Sequence, residues 1–314
     1  MNVDEQNQTE VKPFIIANPI YDTVFKKLME NRRIVTFFLS TILECPVTAI
    51  EVLPQEFTHV KKTDKDGGMV PYSIFRVDFM ATVQTGDGKY GKILIEVQKS
   101  LGLADVNRFR QYLGEQYSKR DLVTVNNGVR ELSLPITTIY ILGTRLAKIK
   151  CSCLKVERTY TDMVENEPVA ERDDFVEKLT HNSYFIQAGR ITDNRYSTHL
   201  EKLLSIFEQS DFVGGNSEVL KEYRYRPDVE EIKIITDVLH EMGVDPEERK
   251  RIENEAEFIR TIDDTYGAET RELTETVREQ AKLLEEKARS LEEQAKEIAE
   301  LKRRLTGNIN KQNL

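Results

Sequence analysis

Two acidic residues in a predicted hairpin, Asp78 and Glu96, have the type and spacing that best suit chemistry. Residues 74–98 form two β-rich runs around a turn-forming Gly-Asp-Gly at 86–88, which favours antiparallel strands. A turn centred there pairs residues whose numbers sum to about 174, so Asp78 faces Glu96. Facing carboxylates repel each other, and Mg²⁺ prefers carboxylate oxygens together with water and phosphate. The pair therefore indicates a metal site, and two solvated acids on a polar face are the alternative.

Strand alternation divides the predicted hairpin into two faces. The face suited to a core is apolar throughout and comprises Phe75, Val77, Phe79, Ala81, Val83, Ile93, Ile95 and Val97. The opposite face carries the acids and comprises Arg76, Asp78, Met80, Leu94, Glu96 and Gln98.

The elements around the hairpin predict an α/β domain with a mixed sheet. Asn18-Pro19 suggests a helix start that continues to just before Cys45-Pro46. A strand is expected over 47–57, a helix over 104–119 and another strand over 134–142.

The remainder of the chain is predicted to be mostly helical over 151–265, with a long helix and tail over 266–314. Apolar residues in that last segment follow alternating steps of four and three from Val277 to Leu305. This heptad seam predicts a coiled coil that joins a second copy or a helical partner, and a single solvated helix is the alternative.

Composition limits the class of protein. The 314 residues have a net charge of -9, and no apolar run reaches the length of a membrane span. The polar leader, residues 1–17, lacks the pattern of a secretion signal, and three cysteines are too few for a disulfide scaffold, so a cytoplasmic protein is expected. Residues 1–150 hold 20 Lys/Arg and 17 Asp/Glu, a net of +3, against -12 for the rest, so a polyanion site is expected in the first half.

The order of these motifs resembles the PD-(D/E)XK nuclease superfamily. Asp78, a hairpin turn and then Glu96-Val97-Gln98 match its motif in the variant in which Gln replaces the usual Lys. The segment 21–28 is similar to the opening helix of the recombination-promoting nuclease and transposase-like branch. The helix from Arg108 and the strand over 134–142 follow in the same order. The resemblance covers roughly residues 18–145, and the nuclease-like domain is expected over 18–150.

The resemblance implies a restriction-endonuclease-like mixed sheet core flanked by helices, and a Mg²⁺-dependent DNA endonuclease for which Mn²⁺ can substitute. It implies that Asp78 and Glu96 hold the metal, with the Val97 carbonyl as a further ligand. It assigns Gln98 to the position of the Lys that orients the attacking water. Asp22 matches the acidic residue of the opening helix, which holds a metal-bound water.

The substitution of Gln for Lys leaves a second function open. A neutral amide orients water by hydrogen bonding but brings no positive charge to the phosphate. Lys99 follows in sequence, yet alternation points it to the opposite face. The rival to a nuclease with a role in recombination or transposition is therefore a nuclease-fold protein with weak or no activity that binds DNA or assembles partners.

Two cations are candidates for nucleic-acid contact. Arg108 lies on the helix after the motif and suits a phosphate, although a solvated helix-surface Arg is the ordinary interpretation. Lys26 belongs to a predicted basic patch with Lys27, Arg32 and Arg33, and a charged helix face is again the alternative.

Overall fold

The structure of the protein is a computed structural model. The residues that it describes are 14–53, 56–59, 73–99, 103–125, 128–191, 196–214, 218–225, 227–261, 264 and 287. The chain forms two compact units, residues 1–257 and 258–314, and nearly all described residues belong to the first. The three cysteines are free thiols. Within the described residues, no helix combines the length and apolar character that crossing a bilayer requires.

The described chain contains fifteen strands and seven α-helices. The strands are β1 (Phe14–Ala17), β2 (Val47–Val52), β3 (Glu56–His59), β4 (Ser73–Arg76), β5 (Phe79–Thr85), β6 (Tyr90–Gln98), β7 (Asp121–Val125), β8 (Gly128–Leu132), β9 (Ile136–Leu142), β10 (Cys153–Val156), β11 (Tyr160–Asp162), β12 (Glu167–Val169), β13 (His181–Gln187), β14 (Phe212–Val213) and β15 (Leu220–Tyr223). The helices are α1 (Asp22–Met29), α2 (Arg32–Ile42), α3 (Leu103–Ser118), α4 (Asp174–Leu179), α5 (His199–Ile206), α6 (Glu230–Val244) and α7 (residues 246–261), with one 3-10 turn at Ala188–Arg190.

A six-stranded mixed sheet in the order β10-β13-β9-β6-β5-β2 forms the centre of the fold. Strands β6, β9 and β13 run parallel, and the outer strands are antiparallel to their neighbours. Helix α3 lies in the connection between parallel β6 and β9, which need a long crossover to join them. The predicted mixed α/β class is confirmed.

The predicted hairpin register is confirmed, but its polar face is not a solvated one. Phe79 pairs with Ile95 and Met80 with Leu94 in β5 and β6. Met80 and Leu94 are buried and belong to one cluster with Tyr112 of α3, so this face packs under a helix. Both faces are covered, as is usual for a strand with a parallel neighbour, and α3 covers this one.

The predicted alternation also stops at the bend before β5. Asp78 lies outside the strand, and Val77 packs in the same cluster as Met80 rather than with Phe79. The bend changes the side-chain phase, so the assignment of Val77 to the same face as Phe79 is wrong.

The helix predicted from Asn18 is two helices that are preceded by a strand. Asn31 interrupts the run, because its side chain accepts the N–H groups of Arg33 and Ile34 and begins α2. Asn18 follows β1, and its side chain accepts the N–H of Ile20 in a turn and does not cap a helix. The helical run ends at Ile42, before Cys45-Pro46 as expected.

The expectation that residues 151–265 are mostly helical is wrong, and the chain does not divide at residue 150. Strand β13 adds to the central sheet beside β9, and β15 pairs with β1 near the beginning of the chain. The sequence did not reveal these pairings because a strand's partner is set by contacts distant in sequence. The predicted coiled coil over 277–305 lies outside the described residues.

A chain that ends at residue 150 is therefore expected not to fold cooperatively, because β9 loses β13 and β1 loses β15. A chain that ends at residue 257 keeps all of the described strands and should unfold in one transition. Thermal unfolding followed by circular dichroism compares the two. A cooperative transition in the shorter chain would contradict the shared sheet.

Candidate active site

The candidate site lies where β6 extends beyond its pairing with β5. The last pair of that ladder is Phe79 with Ile95, and the chain bends at Asp78. The Asp78 Oδ2 atom accepts the backbone N–H of Val97 at 2.6 Å, which brings its carboxylate beside Glu96. The structure thus brings together the two acids that the hairpin pattern paired.

Burial and mutual repulsion control the protonation of the two acids. The pKa of Asp78 is raised to about 7, first by burial and then by the Asp22 carboxylate, whereas the Val97 N–H acts to lower it. The pKa of Glu96 is raised to about 10, first by burial and then by Asp78. Glu96 is 5% exposed and lines a small cavity beneath α3. The pair therefore retains a proton at neutral pH when no cation is bound.

Asp22, the first residue of α1, is the third acid of the cluster. Its carboxylate contributes to the raised pKa of both Asp78 and Glu96. Its Oδ2 atom pairs with Lys26 Nζ at 2.6 Å, so the Lys26 ammonium is engaged within the site. We use the term acid cluster for Asp22, Asp78 and Glu96.

The predicted basic patch on the first helices is largely neutralised. Lys27 pairs with Glu30, and Arg33 pairs with Glu231 at 2.9 Å in each case. With Lys26 held by Asp22, three of the four predicted cations contact carboxylates. These ion pairs agree with the alternative interpretation of a charged helix face, and contact of Lys26 with nucleic acid stays a prediction.

Gln98 and Arg108 form a hydrogen-bonded pair beside Glu96. The Arg108 Nη2 atom donates to Gln98 Oε1 at 2.5 Å, and the Arg108 charge lowers the pKa of Glu96. The Gln98 carbonyl is thereby held, which leaves its amide NH₂ as the donor. Arg108 is half-buried at the site, so the ordinary interpretation of a solvated helix-surface Arg does not apply.

Lys99 points away from the acids, as strand alternation predicts. Its ammonium lies 4.3 Å from the Tyr21 ring centroid, donates to the Tyr21 hydroxyl and pairs with Glu218 at 3.0 Å. Tyr112 is 5% exposed and packs in the core with Met80 and Leu94.

Glu255 of α7 is a residue of the site that the sequence did not reveal. Its Oε1 atom accepts the Asp22 N–H at 2.7 Å and its Oε2 atom accepts the Thr23 N–H at 3.0 Å. Tyr21, the N-cap residue of α1, makes no capping bond with its side chain. The Glu255 carboxylate therefore supplies the cap and fixes the helix end that carries Asp22. No local sequence signal links residues 233 positions apart.

The acid cluster fits a hard divalent cation. Asp22 Oδ1 and Glu96 Oε1 are buried and have no hydrogen-bond partner among the residues that the structure describes. Such atoms are costly unless something satisfies them, and a cation would also relieve the repulsion between the carboxylates. In the described part of the chain, no group of three or more His, Cys, Asp or Glu residues is arranged to hold a metal ion by direct ligation. Mg²⁺ needs no such cage, because it commonly takes one or two carboxylates and fills its shell with water and phosphate. The Val97 carbonyl stays a predicted ligand.

Comparison of the chain with models of protein families, with curated proteins and with solved structures finds no match.

The raised pKa values predict how metal-free stability depends on pH. Because both acids bind protons more tightly in the folded chain than in the unfolded chain, their contribution to stability is fully present below about pH 4 and is lost as pH rises toward 7 and beyond. Glu96→Gln removes this effect, so its free energy of unfolding relative to wild type should rise with pH, by at most about 1.4 kcal/mol per pH unit. Urea unfolding of both proteins in EDTA from pH 5 to 8 measures this difference in the free energy of unfolding.

Two comparisons complete this test. The exposed Glu247 lies outside the acid cluster, so Glu247→Gln should show no such trend. Mg²⁺ should stabilise the wild type more at pH 8 than at pH 6, because the cation competes with protons for the same oxygens. A pH-independent difference between Glu96→Gln and wild type would contradict the proposed coupling.

Removal of the distant cap should destabilise the chain. Glu255→Ala leaves two N–H groups of α1 without acceptors, and we expect a loss of about 1 kcal/mol in the free energy of unfolding. Glu255→Gln keeps one of the two acceptor oxygens, so its free energy of unfolding should fall by less than that of Glu255→Ala. Glu253→Ala on the same helix removes only an exposed pair with Arg249 and is the matched control. Equal effects of Glu255→Ala and Glu253→Ala would argue against the cap.

Proposed function

We propose that the chain is a metal-dependent endonuclease that hydrolyses phosphodiester bonds in DNA. The observation that carries this proposal is the acid cluster, in which three carboxyl groups interact and two buried carboxylate oxygens, Asp22 Oδ1 and Glu96 Oε1, have no hydrogen-bond partner among the described residues. A fold that served stability alone would gain nothing from this arrangement, because buried polar atoms without partners cost free energy. The mixed sheet and the order of the motifs agree with the proposal. The proposal includes the finer assignment to a restriction-endonuclease-like fold.

Asp78 and Glu96 would hold the cation, and Asp22 would bind it through a water molecule. Mg²⁺, or Mn²⁺ in its place, polarises a phosphoryl oxygen and lowers the pKa of a bound water. The chain's own contribution is to keep these carboxylates converged. Asp78 does so through the Val97 N–H, and Asp22 does so through the capped start of α1.

Arg108 supplies the positive charge that Gln98 lacks. The Gln98 carbonyl orients the guanidinium, and Arg108 acts electrostatically on Glu96. A guanidinium next to the reacting phosphate stabilises the negative charge that develops during hydrolysis. The Gln98 amide NH₂ is free of this contact and suits a water or a phosphate oxygen. In this proposal, Gln98 and Arg108 together perform the task of the usual Lys.

A second function has support in two observations. Asp78 already acts structurally as the acceptor for the Val97 N–H, and the side chain at 98 is a neutral amide. Both suit a protein that binds DNA or assembles partners without cleaving it. The proposals of a cytoplasmic setting, a role in recombination and self-association through 277–305 are compatible with either function.

Plasmid nicking with Mg²⁺, Mn²⁺ or EDTA tests the nuclease. Asp78→Asn and Glu96→Gln should each lower metal-dependent nicking by at least about 100-fold, because the cation contributes several kcal/mol to transition-state stabilisation. Arg108→Gln should lower kcat by about 100-fold, because the variant loses a donor to the negative charge that develops on the phosphate during hydrolysis.

Asp174→Asn is the matched control for the acid variants, since that carboxylate is 94% exposed on α4. It should nick at the wild-type rate. If Asp78→Asn and Glu96→Gln also nick at the wild-type rate, the proposed site is wrong. If the wild type binds DNA yet nicks it with neither metal, the second function is favoured.

A further inference from the structure

A loop rich in cations follows β9 and begins beside the candidate site. We use the term basic loop for residues 143–152, which contain Arg145, Lys148 and Lys150 and no acidic residue. Residues 1–142 hold 17 Lys/Arg and 17 Asp/Glu, so the basic loop supplies the whole positive surplus of the first half. In a chain with a net charge of -9, this concentration of positive charge needs a physical explanation.

The start of the basic loop is hydrogen-bonded to the strand that carries Gln98. The Gly143 N–H donates to the backbone carbonyl oxygen of Gln98 at 2.8 Å. A Cβ atom at Gly143 would lie 2.5 Å from the Lys99 carbonyl oxygen, so glycine permits this close approach of the two backbones. The cations therefore follow Gly143 along the chain, where the loop continues past the end of β13 and contacts Gln187 through Leu146 and Cys151.

Buried polar side chains fix the backbone of the basic loop. Gln187 has no exposed surface, accepts the Leu146 N–H at 2.6 Å and donates to the Cys151 carbonyl at 2.7 Å. Arg190 donates to the Leu146 carbonyl at 2.8 Å from the turn after β13. A loop held in this way presents its exposed side chains from a defined backbone, which lowers the entropy lost on binding.

The cations of the basic loop have no carboxylate partners among the described residues. The side chains of Arg145, Lys148 and Lys150 are exposed, and none of them forms an ion pair within the described part of the chain. The lysines of α1 differ, because both contact carboxylates. A cation without a carboxylate partner can neutralise a phosphate, and this releases a counterion that was condensed on the polyanion.

We propose that the basic loop binds the sugar–phosphate backbone of DNA next to the acid cluster. The inference rests on the proposed function for the identity of the polyanion, whereas the binding itself is measured without cleavage. Lys148 and Lys150 contact phosphates as point charges, and they confer affinity without sequence preference. The loop offsets the repulsion that the acid cluster exerts on an approaching phosphate.

The test is the salt dependence of DNA binding by the full-length chain. Fluorescence anisotropy with a labelled duplex of about 25 base pairs in EDTA prevents metal-dependent cleavage. Lys148→Gln with Lys150→Gln should reduce the slope of log affinity against log salt concentration by about 2, one per lost phosphate contact. The Arg replacements at the same two positions keep the charge and should keep the slope.

Lys233→Gln with Lys250→Gln is the control, since it makes the same change in net charge at exposed lysines on α6 and α7. Its slope should equal that of the wild type. An unchanged slope in the basic-loop variant, an equal decrease in the control, or a wild type that does not bind the duplex would overturn the proposal. A preference for RNA of the same length that disappears in the basic-loop variant would overturn DNA as the partner.

Failure of this proposal differs from failure of the nuclease. Duplex binding that depends on the basic loop, combined with no nicking in any metal, would support the loop and argue against the nuclease. Nicking by the basic-loop variant with unchanged KM and kcat would overturn the loop and leave the acid cluster as the catalytic site.

Discussion

The unequal pairing of the two edges of β6 is the constraint on which the candidate site depends. β9 pairs parallel with β6 as far as Gln98, whereas β5 pairs antiparallel with it only as far as Ile95. Because β5 begins at Phe79, opposite Ile95, the backbone of Glu96, Val97 and Gln98 is held by β9 and has no β5 partner on its other edge. The carboxylate of Asp78 occupies that edge, and this contact converts a strand end into a cluster of acids.

The electrostatics of the site follow from that contact. Acids held together in a buried place retain protons or attract cations, and the chain provides cations at three distances. Lys26 contacts Asp22 directly, Arg108 acts on Glu96 from α3, and the basic loop begins at Gly143, which contacts the end of β6. The first two cations moderate the repulsion among the carboxylates. The third group is exposed to solvent, and in our proposal it binds the DNA backbone.

The second half of the chain contributes to the same site, although its sequence suggested only a helical appendage. Glu255 caps α1 and so fixes Asp22, while Gln187 of β13 fixes the basic loop. Strand β13 also covers the edge of β9. The second half has a net charge of -12, yet some of its side chains organise a site that lies mainly in the first half. The chain folds as a unit to residue 257 because these contacts link distant segments.

The sequence by itself determined the elements whose signals are local. Turn residues and alternation gave the β5–β6 register and hence the proximity of Asp78 and Glu96, and the predicted helix over 104–119 matches α3 within one residue at each end. Only the tertiary structure decided the burial of both sheet faces, the strand pairings of β13 and β15, the cap from Glu255 and the engagement of Lys26. These features depend on segments far apart in sequence, and neither propensity nor periodicity encodes which distant segment will pack against a given strand or helix end.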